Sequence, residues 1–432
     1  MSAKAVLNFV LFSNLEYILK KFALLFLVFV ITTDIFPQAL GDDLRVFGQV
    51  RLRSEIDGRD FWNKSYPLTY TFLRTRVGVE KSFGSSVKAM VVLQDSRLFG
   101  EELGTTNSIA NVDLNQAWLQ IIDPFELPLS VKAGRMEVTY GTERFFAKND
   151  WNNVSRRFDG VVFSFKPGFK LDLFALTDTD SSGFVRKETP PKYPNAIPDY
   201  KGKSVYGFWS QFDISPVRLD LFGYYEYNGK KSNRIDPDMS VITAGMNLSG
   251  NVEWLRYLTE AAFQTGKTSV RDVSAYLVSV MAAYSTKPLE IGLQADISSG
   301  TAPADQPTKN NTFNASYNSG HKFFGSMDYF TSMSRDTRNL GIHDFFLFGR
   351  VNVSEVVQMR AQFHYFSAAQ ESRLGNKLFG YELDVDFGIK MHKSTEILTG
   401  ISAFLPGELM LEFNNNKFDT ALWGYLGAVV NF

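Results

Sequence analysis

Residues 44–56 carry Val46, Gly48, Val50 and Leu52 in alternation with Arg45, Gln49, Arg51, Arg53 and Glu55. Successive side chains of a β-strand point to opposite faces, so this spacing predicts a strand with one uncharged face and one strongly charged face. The division recurs in 67–82, where Leu73, Val77 and Val79 oppose Arg74, Arg76 and Glu80. It recurs again in 378–391, where Leu383, Val385, Phe387 and Ile389 oppose Glu382, Asp384, Asp386 and Lys390. An Arg or Lys turned to lipid at mid-membrane costs about 2–4 kcal/mol, so membrane strands built this way must turn their charges into a wet lumen. A soluble β-sandwich or propeller also alternates, with its apolar face on a core. Other features have to choose between the two.

The connections supply one such feature. Short turns rich in Gly, Pro, Ser and Asp fall at Phe83–Ser86, Asp123–Pro128, Lys166–Phe169, Ile214–Pro216, Ser249–Val252, Thr286–Pro288, Ser354–Glu355 and His392–Lys393, as tight hairpins require. Between them lie long polar connections at 99–111, 141–156, 178–202, 229–238, 300–341, 369–377 and 406–417. Short turns on one side and long loops on the other is the asymmetry of an outer-membrane barrel. The segments number about eighteen, with sixteen as the alternative; they run from 44–56 to 418–432 and include 128–140 and 239–249. The expected fold is therefore all-β: a transmembrane antiparallel β-barrel with short periplasmic turns and long extracellular loops.

Both ends fit that expectation. Lys20-Lys21 precedes the apolar run Phe22–Ile31, which has the length of a signal-peptide core and is too short for a membrane-spanning helix. Residues 1–41 are thus expected to be an N-terminal extension and signal peptide, cleaved after Ala39 or Gly41, and residues 42–432 a single barrel domain. In the last segment Phe432, Val430, Ala428, Leu426, Gly424 and Leu422 share an uncharged face. A terminal Phe on such a strand suits the closing strand of a barrel in lipid. Tyr70, Trp209, Tyr224, Tyr225 and Trp254, near strand ends, suit interfacial girdles.

Composition narrows the function. Lys and Arg total 45 against 46 Asp and Glu, so there is no global basic field for nucleic acid. The absence of cysteine removes disulfides and thiolate metal sites. His321, His343, His364 and His392 are scattered without ligand spacing. No G-x-S-x-G elbow or Ser/His/Asp grouping is present, so neither catalytic residues, metal nor cofactor is expected.

Residues 134–160 read Gly134-Arg135-Met136-Glu137, Tyr140-Gly141, Arg144, Asp150-Trp151-Asn152-Asn153 and Arg157-Phe158-Asp159-Gly160. This run resembles the alginate-export family of outer-membrane barrels, although Met136 stands where the family often has Gln. Residues 320–330, Gly320 to Phe330, resemble a second family segment in a long loop, and Gly380-Tyr381-Glu382-Leu383-Asp384 with Gly400 and Phe404 a third. The resemblance implies an eighteen-stranded barrel whose lumen narrows to an arginine-lined constriction. It leaves the substrate open.

A polyuronate carries a carboxylate on each sugar, and arginine's fixed, permanently charged fork pairs with carboxylates. Alternation turns Arg51, Arg53, Arg74 and Arg76 inward as candidate pore-lining residues, and Glu382, Asp384, Asp386, Glu290 and Asp296 as well. Arg135, Arg157 and Asp159 join the candidates on the resemblance alone. They share parity with Val131, Ala133, Val161 and Phe163, so either a bulge resets the phase or they sit at the loop boundary. The expected function is passive passage of an anionic, alginate-like polysaccharide through an arginine-lined lumen, the alternative being a general or small-solute porin. Whether arginines dominate the narrowest ring or are paired one for one decides between them. Expected partners are outer-membrane lipids and the barrel assembly machinery, with an anionic polysaccharide and periplasmic export components as candidates and nucleic acid excluded.

Overall fold

The computed structural model describes residues 43–62, 67–101, 111–166, 168–178, 203–228 and 239–432. The expected extension and signal segment, 1–41, lies outside the described residues, the expected connections 178–202 and 229–238 lie almost wholly outside them, and so does most of 99–111. The alternating segments form β1 (Leu44–Gly58), β2 (Leu68–Phe83), β3 (Val87–Leu98), β4 (Asp113–Ile122), β5 (Leu129–Met136) and β6 (Phe158–Phe165). Next come β7 (Lys170–Asp178), β8 (Lys203–Ile214), β9 (Val217–Asn228), β10 (Met239–Val252), β11 (Leu255–Thr268), β12 (Arg271–Thr286) and β13 (Leu289–Ser298). The last are β15 (His343–Asn352), β16 (Val357–Ser367), β17 (Leu378–His392), β18 (Thr395–Pro406) and β19 (Ala421–Asn431). Each pairs antiparallel with the next, and β19 closes on β1 with Gln49 opposite Asn431 and Gly58 opposite Leu422. The barrel has eighteen strands, and β14 (Lys309–Asn310) is a two-residue strand within a loop that lies parallel to β12.

Side-chain exposure follows the alternation. Val46, Leu52, Val77, Val79, Leu119, Leu293 and Leu383 are exposed on the outer wall, whereas Arg51, Arg53, Arg74, Glu382 and Asp384 are buried inside. The polar residues thus face a lumen and the apolar ones the bilayer, the arrangement that the cost of lipid-facing charge demands.

Four local readings change. The strand expected over 128–140 ends at Met136, two residues after Gly134 takes φ +127. The turn expected at Ser249–Val252 lies instead between Val252 and Leu255, where Glu253 has φ 52. On the long-loop side, β11 and β12 are joined by only two residues, with Ser269 at φ 58. Of the five girdle aromatics, Trp209 and Tyr224 are buried in the lumen and Tyr70 hydrogen-bonds to the luminal Glu55 and to Asp57. Trp209 shares the parity of buried Val205, and Tyr224 that of Asp220 and Glu226. Apolar bulk inside this barrel serves a purpose that alternation does not reveal.

Candidate functional site

That purpose is to pack two loops folded into the lumen. The first, 137–157, leaves β5 and returns to β6 after crossing the interior. Its carbonyls are taken by arginines of β1 and β2: Arg51 donates to Asp150 O at 2.5 Å and Asn152 O at 2.9 Å, Arg53 to Trp151 O at 2.6 Å, and Arg74 to Asp150 O and Asn152 O at 3.1 Å. The Asp150 carboxylate binds Arg74 at 3.1 Å and Arg76 at 2.9 Å. Burial alone would raise the pKa of Asp150, but Arg74, Arg76 and Lys148 outweigh it and hold the group below the usual carboxylate range.

Six residues earlier, Arg144 is 1% exposed and bridges Glu260 on β11 at 2.7 Å and Asp296 on β13 at 2.9 Å. In a ring of eighteen, β11 lies nine strands from β2, so the loop is pinned at opposite walls. Gly141, at φ +54, makes the bend possible, because a side chain there would run into Trp209.

The second loop, 299–342, is held by two acids of β17 and by one arginine. Met327 N donates to Glu382 at 2.8 Å and Ser326 N to Asp384 at 3.4 Å on β17. Arg59, just after β1, donates to Met327 O at 3.0 Å. On the other side, Asn314 exchanges two hydrogen bonds of 2.9 Å with Gln264 of β11. The loops join each other through a parallel bridge between Phe146 and Tyr317, a hydrogen bond from Arg156 to Asn318 O at 2.7 Å, and Trp151 stacked on His321 with centroids 3.7 Å apart. Phe145, Phe146, Phe313 and Tyr317 are at most 1% exposed and pack with Trp209, Phe222 and Tyr224 of the wall.

Nearer the short-turn ends the lumen opens into two cavities. One, of about 310 Å³, is lined by Gly141, Thr142, Arg218, Asn247 and Arg256 among others. The other, of about 290 Å³, reaches from Thr142 and Arg256 to Lys322, Arg350 and Arg360. Arg218 pairs with Asp220 at 3.1 Å and Arg360 with Asp386 at 2.7 Å. Arg256 and Arg350, at 2.7 and 3.7 Å, share one oxygen of Glu290.

The sequence-derived residues therefore separate into three groups. Arg51, Arg53, Arg74 and Arg76 come together inside the barrel as anchors of the 137–157 loop, each giving it at least one donor, while Arg53 also pairs with Glu55, Arg74 with Gln49 and Arg76 with Gln94. Glu382 and Asp384 are likewise inside and hold the 299–342 loop. Arg135 and Asp159 do not join either group: they are cross-strand partners at the loop ends of β5 and β6, bonded at 2.7 and 2.8 Å. They share the outer-wall parity of exposed Phe163. Arg157, at the loop boundary, pairs with Asp113. Of the two readings left open for these three, the loop boundary is where they lie. Sequence reasoning passed over Arg144, Arg218, Arg256, Arg350 and Arg360. Alternation with Glu260, Asp220, Asp344 and His364 carries the signal for the four on strands, whereas Arg144 was visible only as part of the quoted run.

An eighteen-stranded barrel with an apolar outer wall, a charged lumen and inward loops is an outer-membrane channel. Solved structures agree on the fold: a BenF-like porin from Pseudomonas fluorescens superposes with TM-score 0.60 at 10% identity, covering 90% of this chain and 99% of that one. Pseudomonas aeruginosa OccK11 gives 0.58 at 10% identity with 90% and 96% covered, and Pseudomonas aeruginosa OpdK with vanillate 0.57 at 10% with 90% and 98%. No curated protein matches in sequence. Over residues 43–416 the chain matches the alginate export family, to which it belongs.

Proposed function

We propose that the protein is a passive channel that favours anions and passes acidic, alginate-like saccharides. The observation that carries this reading is the charge of the two cavities. Arg51, Arg53, Arg74 and Arg76 are engaged by a loop, so the solvent-facing cations are Arg218, Arg256, Lys322, Arg350 and Arg360. Arg218 has Asp220 and, at 4.0 Å, Asp213, Lys322 has Glu143, Arg360 has Asp386, and Arg256 and Arg350 share Glu290. Among the residues that line the two cavities, Arg144, Arg218, Arg256, Lys322, Arg350 and Arg360 outnumber Asp220, Glu260 and Asp296, which leaves a surplus positive charge on the wall. Arginine forks at a pore wall lower the barrier for carboxylates. Membership of the alginate export family supports the choice of an acidic saccharide.

A second reading, a porin for small solutes, is favoured by the likeness to porin barrels, one of them solved with vanillate. Planar-bilayer reversal potentials under a salt gradient test the anion preference. An anion-favouring reversal potential is expected, together with block by added oligouronate. Cation selectivity would sink the reading.

A further inference from the structure

One stretch of the outer wall carries charges that the channel does not use. We infer that the loop ends of β3–β6 form an outward seat for a phosphorylated lipid of the outer leaflet, with Arg135 and Arg157 on its phosphates and Asp113 and Asp159 on the divalent cations that accompany them. The assignment is independent of what the lumen passes.

Arg135, Arg157 and Asp159 belong to the 134–160 run but are used by neither inward loop. Arg135 and Asp159 face each other across β5 and β6 with the parity of exposed Phe163. Arg157, two residues before Asp159, reaches Asp113 at the start of β4. The charge of Asp113 acts on Arg135, and that of Arg157 on Asp159, so the four form one cluster. Beside it at the loop end of β3, Arg97 and Asp95 pair at 2.8 and 2.9 Å with the parity of exposed Val91 and Leu93.

On other strands the outer face at this end carries tyrosines. Tyr206, Tyr227, Tyr365 and Tyr381 are exposed there, as an interfacial girdle requires. The cross-strand row that holds Arg135 and Asp159 runs on through Thr177 and Ser204 to Tyr227, so a charged pair occupies a row that a girdle tyrosine completes. Strand length sets the depth. A tilted strand takes about 9–11 residues to cross a bilayer, and β5 and β6 have eight each, against 15 and 16 in β1 and β2. Arg135 is the seventh residue of β5 and Asp159 the second of β6, which puts them in the headgroup layer, where phosphates lie. The carboxylates are the more exposed partners, Asp159 at 40% and Asp113 at 42% against 27% for Arg135 and 19% for Arg157. Guanidiniums beside outward carboxylates suit phosphates cross-linked by Mg²⁺ or Ca²⁺. An arginine fork takes phosphate oxygens, and carboxylates are the hard oxygen ligands such cations prefer.

The test is lipid binding by the full-length barrel in detergent with Mg²⁺, read by native mass spectrometry. The probes are a bisphosphorylated lipopolysaccharide, the same lipid dephosphorylated, and phosphatidylglycerol. The bisphosphorylated lipid should bind ahead of the other two, and EDTA should weaken it. Arg135→Gln and Arg157→Gln should each lower its affinity about tenfold, the worth of one charge-assisted hydrogen bond, and Arg157→Lys should restore part. Lys267→Gln, which removes an exposed charge at the loop end of β11, should change nothing. Each variant is first verified as a heat-modifiable barrel; if Arg135→Gln fails, the double variant Arg135→Gln with Asp159→Asn keeps an uncharged pair and carries the same expectation. Equal affinity for the phosphorylated and dephosphorylated lipids, or unchanged affinity in the Arg135 and Arg157 variants, overturns the seat. Phosphatidylglycerol bound as tightly as lipopolysaccharide overturns the choice of lipid, and indifference to EDTA overturns the role of Asp113 and Asp159. Wild-type dimers or trimers that Arg157→Gln converts to monomers would make this face a contact between copies and overturn the lipid as its occupant.

Discussion

Asp150 shows how much can depend on one carboxylate. It sits between Arg74, which is fully buried, and Arg76, at the end of the loop opposite Arg144. Asp150→Asn removes the charge while leaving the carbonyl bonds, and should cost about 1.5–3 kcal/mol of loop anchoring, the range for hydrogen bonds to charged groups. Single-channel recordings should show larger, noisier openings. The pH dependence follows from the lowered pKa of Asp150 in the folded protein. Its contribution is complete above the unfolded value of about 3.9 and is lost as pH falls through the lower folded value. Wild-type channels should therefore stay quiet at neutral pH and become noisy only below about pH 4; noise that instead sets in near pH 6 would assign the anchor to another group.

At the scale of elements, the two inward loops use opposite chemistry. The 137–157 loop offers carbonyl oxygens to arginines of β1 and β2, and at β17 the 299–342 loop offers amide N–H groups to acids, with one carbonyl, Met327 O, taken by Arg59. Gly325 lies at the second contact, with φ +84, and an added Cβ would stand 2.5 Å from Glu382 Oε1. Gly325→Ala combines a left-handed backbone cost of about 1–2 kcal/mol with that clash. Limited proteolysis should cut the variant within 320–330 while the barrel keeps its heat-modifiable gel shift; equal protease resistance would show that the latch tolerates the methyl. The seam between β1 and β19 is an element-level feature as well. Gly48 N donates to Phe432 O at 2.8 Å and Phe432 N to Gly48 O at 3.1 Å, and the Phe432 ring lies over Gly48 in the space a side chain would fill. Deletion of Phe432 should reduce the yield of heat-modifiable barrel in membranes, whereas Phe432→Tyr should not.

For the whole molecule, net charge near zero says little, because the charges are sorted by place. The wall formed by β9, β11, β15 and β16 carries Arg218, Arg256, Arg350 and Arg360, each near a short-turn end of its strand. The field of a partly paired wall is weak and screened over about 10 Å at 0.1 M salt. Anion preference should therefore be marked in dilute salt and fade toward 1 M, measured as the reversal potential at a fixed concentration ratio. A selectivity independent of ionic strength would point to a steric filter in place of the charged wall.

Alternation in the sequence marked which face of a strand such as β1, β2 or β17 meets lipid, and together with the short turns and long loops it pointed to a barrel of about eighteen strands, with sixteen as the alternative, because a period of two and the cost of charge in a bilayer are local constraints. It also turned Arg51, Arg53, Arg74, Arg76, Glu382 and Asp384 inward, where they are found. What those residues do there was decided by tertiary structure. Arginines that parity aims at a pore are instead occupied by the carbonyls of residues 150–152, and no periodic signal marks a loop that folds into a barrel rather than away from it. Trp209 and Tyr224 have the composition of a girdle and the position of a plug core for the same reason. The cations left facing water are set apart only by how many carboxylates lie within reach, and that is a count taken across strands far apart in the chain.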